Sequence, residues 1–268
     1  MQFTSAIIAA ILAYTTAAAP ASNSQQPATT MATYTTAAAP SATAEAAGAS
    51  PYDLSLTQKL FLADTAADRF SLLPENSDFV FNFPVDGPGP GEGGNLVAAN
   101  RASFPALVST GSGMALGRIG GCGINTFHVH PRAAELQVVV RGRIVTEMIP
   151  ENGVLVPDPE DPSRMIRRVI RTELGLYDMT PFYQGSAHAQ FNPGCDDAVF
   201  VAGFNSEDFG AGQIADELFA FDEELVAATL GEMVDGRDVE GIRDTLPVSI
   251  VRGVEECLAK CNKQKRSV

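Results

Sequence analysis

The chain has few of the residues that several classes of function require. Its 268 residues include three histidines and four cysteines, and 18 Lys and Arg face 32 Asp and Glu, for a formal net charge of −14. Nucleic acids and anionic membrane surfaces bind clustered positive charge. No apolar run reaches the roughly 20 residues that a membrane-spanning helix needs. We therefore expect neither a nucleic-acid nor a membrane partner.

The first 50 residues contain no Lys or Arg. Residues 1–19 combine a short apolar run with small residues, which is typical of a cleaved signal peptide and predicts secretion, although the basic start of such peptides is missing. Residues 20–50 are rich in Ala, Ser, Thr and Pro and poor in large apolar residues. Such a segment buries too little surface to offset its ordering entropy, so we predict a disordered linker.

The rest of the chain divides into a folded domain over 51–230 and a helical extension over 231–268. Apolar residues at steps of four and three predict an amphipathic helix over 55–73. Short apolar runs separated by turns then predict strands, and the segment 136–149 reads as a β-hairpin that turns at Gly142. Helices are predicted again over 214–230 and 251–261. The long connection 152–171 is either a lid or a solvated insertion.

All three histidines fall in two short motifs. The first runs from Asn125 through His128 and His130 to Glu135, and the second runs from Tyr183 through His188 to Asn192. Alternate residues of a strand share a face, so His128 and His130 can point into one interior, with Glu135 returning on a neighbouring strand. Three imidazoles and a carboxylate favour a divalent first-row metal ion, with two octahedral positions left open. The predicted ligands are His128, His130, Glu135 and His188.

The spacing H-x-H-x4-E-x6-G, followed by G-x2-H-x3-N, resembles the germin family of the cupin superfamily, and in particular its spherulin-type germin-like proteins. The resemblance covers roughly residues 52–230. It implies a mainly β fold: a single cupin double-stranded β-helix (jelly-roll) barrel with an N-terminal helix and C-terminal helices. It also implies Mn(II) as the metal, with Fe, Zn, Ni and Cu left open, and a homo-oligomer.

The same resemblance implies a substrate pocket beside the metal. Asn125 is the catalytic candidate, and its side chain reaches the site only if its strand starts irregularly, as the resemblance implies. Asn192 could line the pocket or cap a turn before Pro193. Phe127 and Tyr183 are also assigned to the pocket, with Tyr183 standing near the place where the family usually has proline.

These expectations favour a secreted manganese-dependent enzyme that acts on a small oxygen-rich substrate. The substrate would be oxalate or another carboxylic acid that is oxidised, or superoxide that is dismutated. One alternative is a non-catalytic extracellular structural or stress protein of spherulin type, in which the metal only stabilises the barrel. Another is a metal-assisted isomerase or cyclase, since one fold can host many chemistries.

Four cysteines in a secreted chain predict disulfides. Cys122 leads into the strand of the first motif and Cys195 follows the second motif, so we predict that these two are bonded. Cys257 and Cys261 are one helical turn apart, and a bond between them would require distortion of the helix. Their pairing stays open.

Overall fold

The computed structural model of the chain describes residues 53–84, 93–231, 233, 236–246, 250–252 and 255–263. The predicted signal peptide (1–19) and linker (20–50) lie outside these residues. Among the helices described, none is long and apolar enough to cross a membrane.

Two short helices, α1 (Leu56–Leu62) and α2 (Ala66–Ser71), replace the single helix predicted over 55–73. The helix is interrupted because Thr65 starts a new one. Its side chain accepts a hydrogen bond from the Asp68 backbone, and the Asp68 carboxylate accepts from the Thr65 backbone. Leu60 packs in a small apolar cluster, whereas Phe70 is 62% exposed. Only part of the apolar stripe predicted over 55–73 is therefore buried in a core.

Strands dominate the rest of the described chain. They are β1 (Gly94–Ala99), β2 (Gly113–Ile119), β3 (Gly123–Val129), β4 (Glu135–Arg141), β5 (Ile144–Ile149), β6 (Leu155–Pro157), β7 (Met165–Arg167), β8 (Ile170–Leu174), β9 (Met179–Phe182), β10 (Ala187–Phe191), β11 (Ala198–Phe204), β12 (Gly212–Gln213) and β13 (Ile250–Arg252). The later helices are α3 (Ile214–Phe219), α4 (Glu223–Thr229), α5 (Gly236–Thr245) and α6 (Glu255–Lys260). Short 3₁₀ turns occupy Asn76–Phe79 and Pro105–Leu107.

Two antiparallel sheets form the barrel predicted from the resemblance. Sheet I has the order β1-β2-β11-β4-β9, and sheet II has the order β12-β3-β10-β5-β8, with β13 also paired to β3. Side chains alternate along each strand, as on β11, where Ala198, Phe200, Ala202 and Phe204 are buried and the residues between them are less so. The inward residues of both sheets form the main apolar core.

The predicted β-hairpin over 136–149 is wrong in its pairing. β4 pairs with β11 and β9 in sheet I, whereas β5 pairs with β10 and β8 in sheet II. Both strands and the turn exist, and Gly142 at that turn has φ +74°, a conformation that glycine adopts at little cost. The turn carries the chain from one sheet to the other instead of folding it back on itself.

The C-terminal segment departs from prediction at β13. The helix predicted over 251–261 is wrong at its start, because Val251 and Arg252 belong to β13 and pair with Ile124 and Gly123 of β3. An unpaired edge of β3 offers backbone hydrogen bonds here, and this tertiary contact outweighs the helical pattern. The predicted helices over 214–230 correspond to α3 and α4.

The long connection 152–171 is mostly a small exposed hairpin of β6 and β7. Asp158 near its tip forms an ion pair with Arg164. None of these residues lines the cavity beside the histidines. The position of the hairpin therefore favours a solvated insertion over a lid.

The predicted Cys122–Cys195 bond is wrong. The disulfides are Cys122–Cys257 and Cys195–Cys261. The premise that the two ligand strands lie close is correct, because the Cys122 backbone N–H donates to the carbonyl of Gly194. However, Cys257 in α6 and Cys261 directly after α6 each take one of these two cysteines as a partner.

We expect the double variant Cys122→Ala/Cys257→Ala to lose about 2–5 kcal/mol of unfolding free energy, because this bond closes a loop between residues 135 apart. Urea titration of the oxidised protein measures the loss. Non-reducing peptide mapping of the wild type should recover fragments joining 122 to 257 and 195 to 261. A fragment joining 122 to 195 would contradict the structure.

Candidate metal site

The four predicted ligands converge inside the barrel. His128 lies on β3 opposite His188 on β10, His130 follows the end of β3, and Glu135 starts β4 in the facing sheet. All four are at most 5% exposed. Their ligand atoms lie within 4.8 Å of one another. The prediction of a converged cluster is confirmed.

Backbone carbonyls orient the three imidazoles. Each ring uses Nδ1 for a carbonyl acceptor, and these acceptors are the oxygens of Thr126 for His128 (2.6 Å), Gly210 for His130 (2.6 Å) and Ser186 for His188 (2.9 Å). With Nδ1–H donated, Nε2 is the nitrogen of each ring that remains for another partner, and the Nε2 of His130 lies 2.9 Å from a Glu135 oxygen. Such a bond on the far nitrogen is the usual way that a metal-binding histidine is oriented.

Electrostatics keep His128 and Glu135 in the protonation states that bind a cation. Burial, assisted by the nearby His188, lowers the pKa of His128 to about 3, so this ring is neutral. Burial alone would raise the pKa of Glu135, but interactions with the adjacent His130 and His188 rings outweigh burial and hold that pKa at about 2. Glu135 is therefore a carboxylate.

One atom of the cluster has no hydrogen-bond partner. The Nε2 atom of His188 is fully buried and makes no hydrogen bond, and the nearest oxygen of Glu135 is 3.4 Å away. A buried polar atom without a partner is costly and rare in native proteins. A metal ion within reach of all four side chains removes this cost. Their chemistry, three imidazoles and one carboxylate, also fits a divalent first-row ion.

Surrounding groups keep the ligands in place. Phe182 stacks on the His188 ring at 4.2 Å, and Phe204 meets the His130 ring edge-on at 4.8 Å. The carbonyl that orients His130 belongs to Gly210, which has φ +68° and where a Cβ would come within 2.6 Å of the Arg132 guanidinium. Only glycine fits at this position without displacing Arg132.

Asn125 reaches the interior through an irregularity in β3. His188 is opposite His128 and Gln190 is opposite Asn125, so β3 has one residue more than β10 between these pairs. This β-bulge reverses the alternation and turns Asn125 inward. Its amide nitrogen donates to the side-chain oxygen of Gln190 at 2.8 Å. Both amides line the cavity with His128, His130 and Glu135. The bulge lies within β3 and provides the irregularity that the germin resemblance implied for Asn125.

Gln190 was missed from the sequence. Its position two residues after His188 on a strand places it on the same face, and this signal could have identified it.

The other three predicted pocket residues do not line that cavity. Phe127 is 54% exposed on the outer face of sheet II, because strand alternation turns it away from its neighbour His128. Tyr183 is 63% exposed in the loop before β10. Asn192 caps the turn after β10: it donates to the carbonyls of Ile119 and Asp196 and accepts from the Gly194 backbone.

Gln137, two residues beyond Glu135 on the inner face of β4, is completely buried, and neither atom of its amide group makes a hydrogen bond. An unpaired buried amide of this kind lowers the free energy of unfolding by about 1–3 kcal/mol. Gln137→Met, of similar size, is therefore expected to raise the free energy of unfolding by about that amount in urea titration. Gln190→Met, which removes the bond to Asn125, should lower it. A loss of stability in Gln137→Met would show that the amide has a partner.

Comparison with known proteins identifies the architecture that carries this site. Residues 86–234 match the cupin family. The chain belongs to the cupins. This cupin is 33% identical over 208 residues to spherulin-1A of Physarum polycephalum, covering 77% of the chain and 78% of that protein. It is 32% identical over 157 residues to the putative germin-like protein 3-2 of Oryza sativa subsp. japonica, covering 58% of the chain and 64% of that protein.

Among solved structures, the cupin resembles an oxalate oxidase in complex with the substrate analogue glycolate. The TM-score is 0.52 at 20% identity, over 62% of this chain and 80% of that one. At this identity the likeness establishes the fold alone. The germin-like resemblance drawn from the two histidine motifs is confirmed.

Proposed function

We propose that this cupin is a secreted, manganese-dependent germin-like enzyme that oxidises a small carboxylic acid. The observation that carries the proposal is a buried cluster in which His188 Nε2 has no partner and in which His128, His130 and Glu135 line a cavity. The cavity has a volume of about 230 Å³, which suits a small molecule because drug-sized pockets span roughly 300–1,000 Å³. A purely structural ion needs no such space beside it.

His128, His130, Glu135 and His188 would hold the ion. Bound there, Mn(II) would supply a Lewis-acid and redox centre beside the cavity. Glu135 remains ionised and offsets one of the two positive charges of the ion. The resemblance of the two motifs to germins supports manganese over the other divalent metals, and a solved oxalate decarboxylase with the same fold has Mn(II) centres.

The amides of Asn125 and Gln190 would bind the carboxylate of the substrate. Because Asn125 donates to the Gln190 oxygen, the amide nitrogen of Gln190 keeps both of its N–H groups for another acceptor. Preorganised donors of this kind stabilise negative charge that develops on a substrate oxygen. Phe204 and Phe209 beside the ligands keep water away from the reacting atoms.

The two disulfides support secretion. Such bonds form and persist in oxidising compartments and are rare in the cytosol. Localisation of the full-length chain carrying a C-terminal tag tests this part of the proposal, with recovery in the culture medium expected and retention inside the cell contradicting it.

The enzymatic proposal is tested with protein that has been stripped of metal and reloaded with Mn(II). We expect it to consume oxalate or a related carboxylic acid together with dioxygen, and we expect metal-free protein to be inactive. Superoxide is assayed in parallel, and turnover of superoxide alone would replace the acid as substrate. If fully loaded protein turns over none of these compounds, the metal has a structural role instead.

A further inference from the structure

Three alanines lie side by side on the wall of the cavity in sheet I. Ala98 of β1 is opposite Ala115 of β2, and Ala115 is opposite Ala202 of β11. All three line the cavity, and Ala115 and Ala202 are each 1% exposed. Each contributes a single methyl group. The row, which we call the alanine wall, is therefore recessed relative to the larger side chains around it.

Larger apolar side chains continue the wall at both ends. Leu96 and Phe200 extend it along the strands away from the metal cluster, and Phe204 extends it towards the cluster. Asn125 and Gln190 contribute amides from sheet II to the same cavity. The cavity therefore has one apolar side and one side of metal ligands and amides.

Charge restricts what this cavity can bind. Its ionisable lining, apart from the histidines, consists of Glu135 and Asp208, and the described residues around it contribute no Lys or Arg. Asp208 is already paired with Arg101 and Arg132. A carboxylate at the metal would be neutralised there. A second carboxylate, as in a diacid, would face the alanine wall without a counter-charge, and burying an unpaired charge is costly.

We propose that the substrate is a monocarboxylic acid with an oxygen on the adjacent carbon, a 2-hydroxy or 2-oxo acid, and that its remaining group is apolar. The carboxylate and the adjacent oxygen would bind at the metal site, within reach of Asn125 and Gln190. The apolar group would then cover the alanine wall. This inference rests on the proposed function for the carboxylate at the metal, and it narrows the substrate class beyond a small acid such as oxalate.

A binding experiment tests the inference without turnover. Mn(II)-loaded protein is titrated anaerobically with lactate, 2-hydroxybutyrate and 2-hydroxyhexanoate, and binding is followed by displacement of metal-bound water in proton relaxation and by calorimetry. Each added methylene that reaches the wall should tighten binding about fourfold. Ala115→Leu fills the recess and should abolish this gain in affinity across the series.

Two further variants keep the test decisive. Ala98→Leu fills the less buried end of the wall and replaces Ala115→Leu if that variant fails to fold. It should also abolish the rise in affinity with chain length. Ala228→Leu makes the same substitution on the exposed surface of α4 and should show the same rise in affinity with chain length as the wild type. The inference is overturned if the affinity of the wild type does not rise with the chain length of the acid. It is also overturned if this rise persists in the variants that fill the wall.

The proposed function is judged separately by oxidation of the same acids in air. Turnover of oxalate, together with an affinity that does not change with chain length, would leave the proposed function standing and reject the apolar substrate. Affinity that rises with chain length, without turnover of any acid, would support this class of acid as the ligand and count against the enzymatic proposal.

Discussion

His188→Ala is expected to abolish stoichiometric metal binding. It removes one of four ligands, the one whose Nε2 has no other partner in the structure. Even loss of a group that only hydrogen-bonds a ligand typically costs roughly 10–100-fold in metal affinity, so loss of a ligand should cost more. Elemental analysis after equilibration with Mn(II) should fall from one ion per chain to near zero.

Phe127→Ala is the matched control for this substitution. Phe127 adjoins the ligand His128 on β3 but faces outward, so its removal should leave the metal content at one ion per chain. Far-UV circular dichroism checks that both variants are folded. Full metal occupancy in folded His188→Ala would rule out this ligand set.

Asn125→Ala is expected to keep the metal and to lose roughly a hundredfold or more in turnover, the typical effect of removing a preorganised donor that stabilises developing charge. The structure places the Asn125 side chain beside the ligands through the bulge, and its only hydrogen bond shown to another side chain is to Gln190. Metal content is measured alongside the rate constant. Unchanged kinetics in the metal-loaded variant would exclude Asn125 from the reaction.

A double-mutant cycle separates the roles of the two amides. If Asn125 acts by orienting Gln190, then Gln190→Ala should lose a similar factor, and the double variant should lose little more than either single variant. If the two amides act independently on the substrate, their effects should multiply. The two patterns are distinguished by the turnover rate constants of the wild type, both single variants and the double variant, measured at equal metal content.

The ligands were predictable because their geometry depends on short-range rules. Strand alternation relates His128 to His130, and a single turn brings Glu135 back to them. His188 required the second motif and the resemblance that joins the two. The same alternation also places Phe127 outside the barrel, so its assignment to the pocket misapplied a rule that was available.

Other features depend on contacts between segments that are distant in the chain. The pattern of 136–149 indicates strands but not their partners, and β4 and β5 join different sheets. The disulfides depend on where α6 packs, which no local pattern reveals. The alanine wall combines residues from β1, β2 and β11, and a lone alanine in a strand carries no signal of a cavity.

The central claim is that one divalent ion is bound by three imidazoles and Glu135. The most direct test is pulsed electron paramagnetic resonance of Mn(II)-loaded wild-type protein labelled with ¹⁵N-histidine. The account predicts one Mn(II) per chain with couplings to three histidine nitrogens. Because the described residues supply just these three rings, Mn(II) bound stoichiometrically without histidine couplings would contradict it.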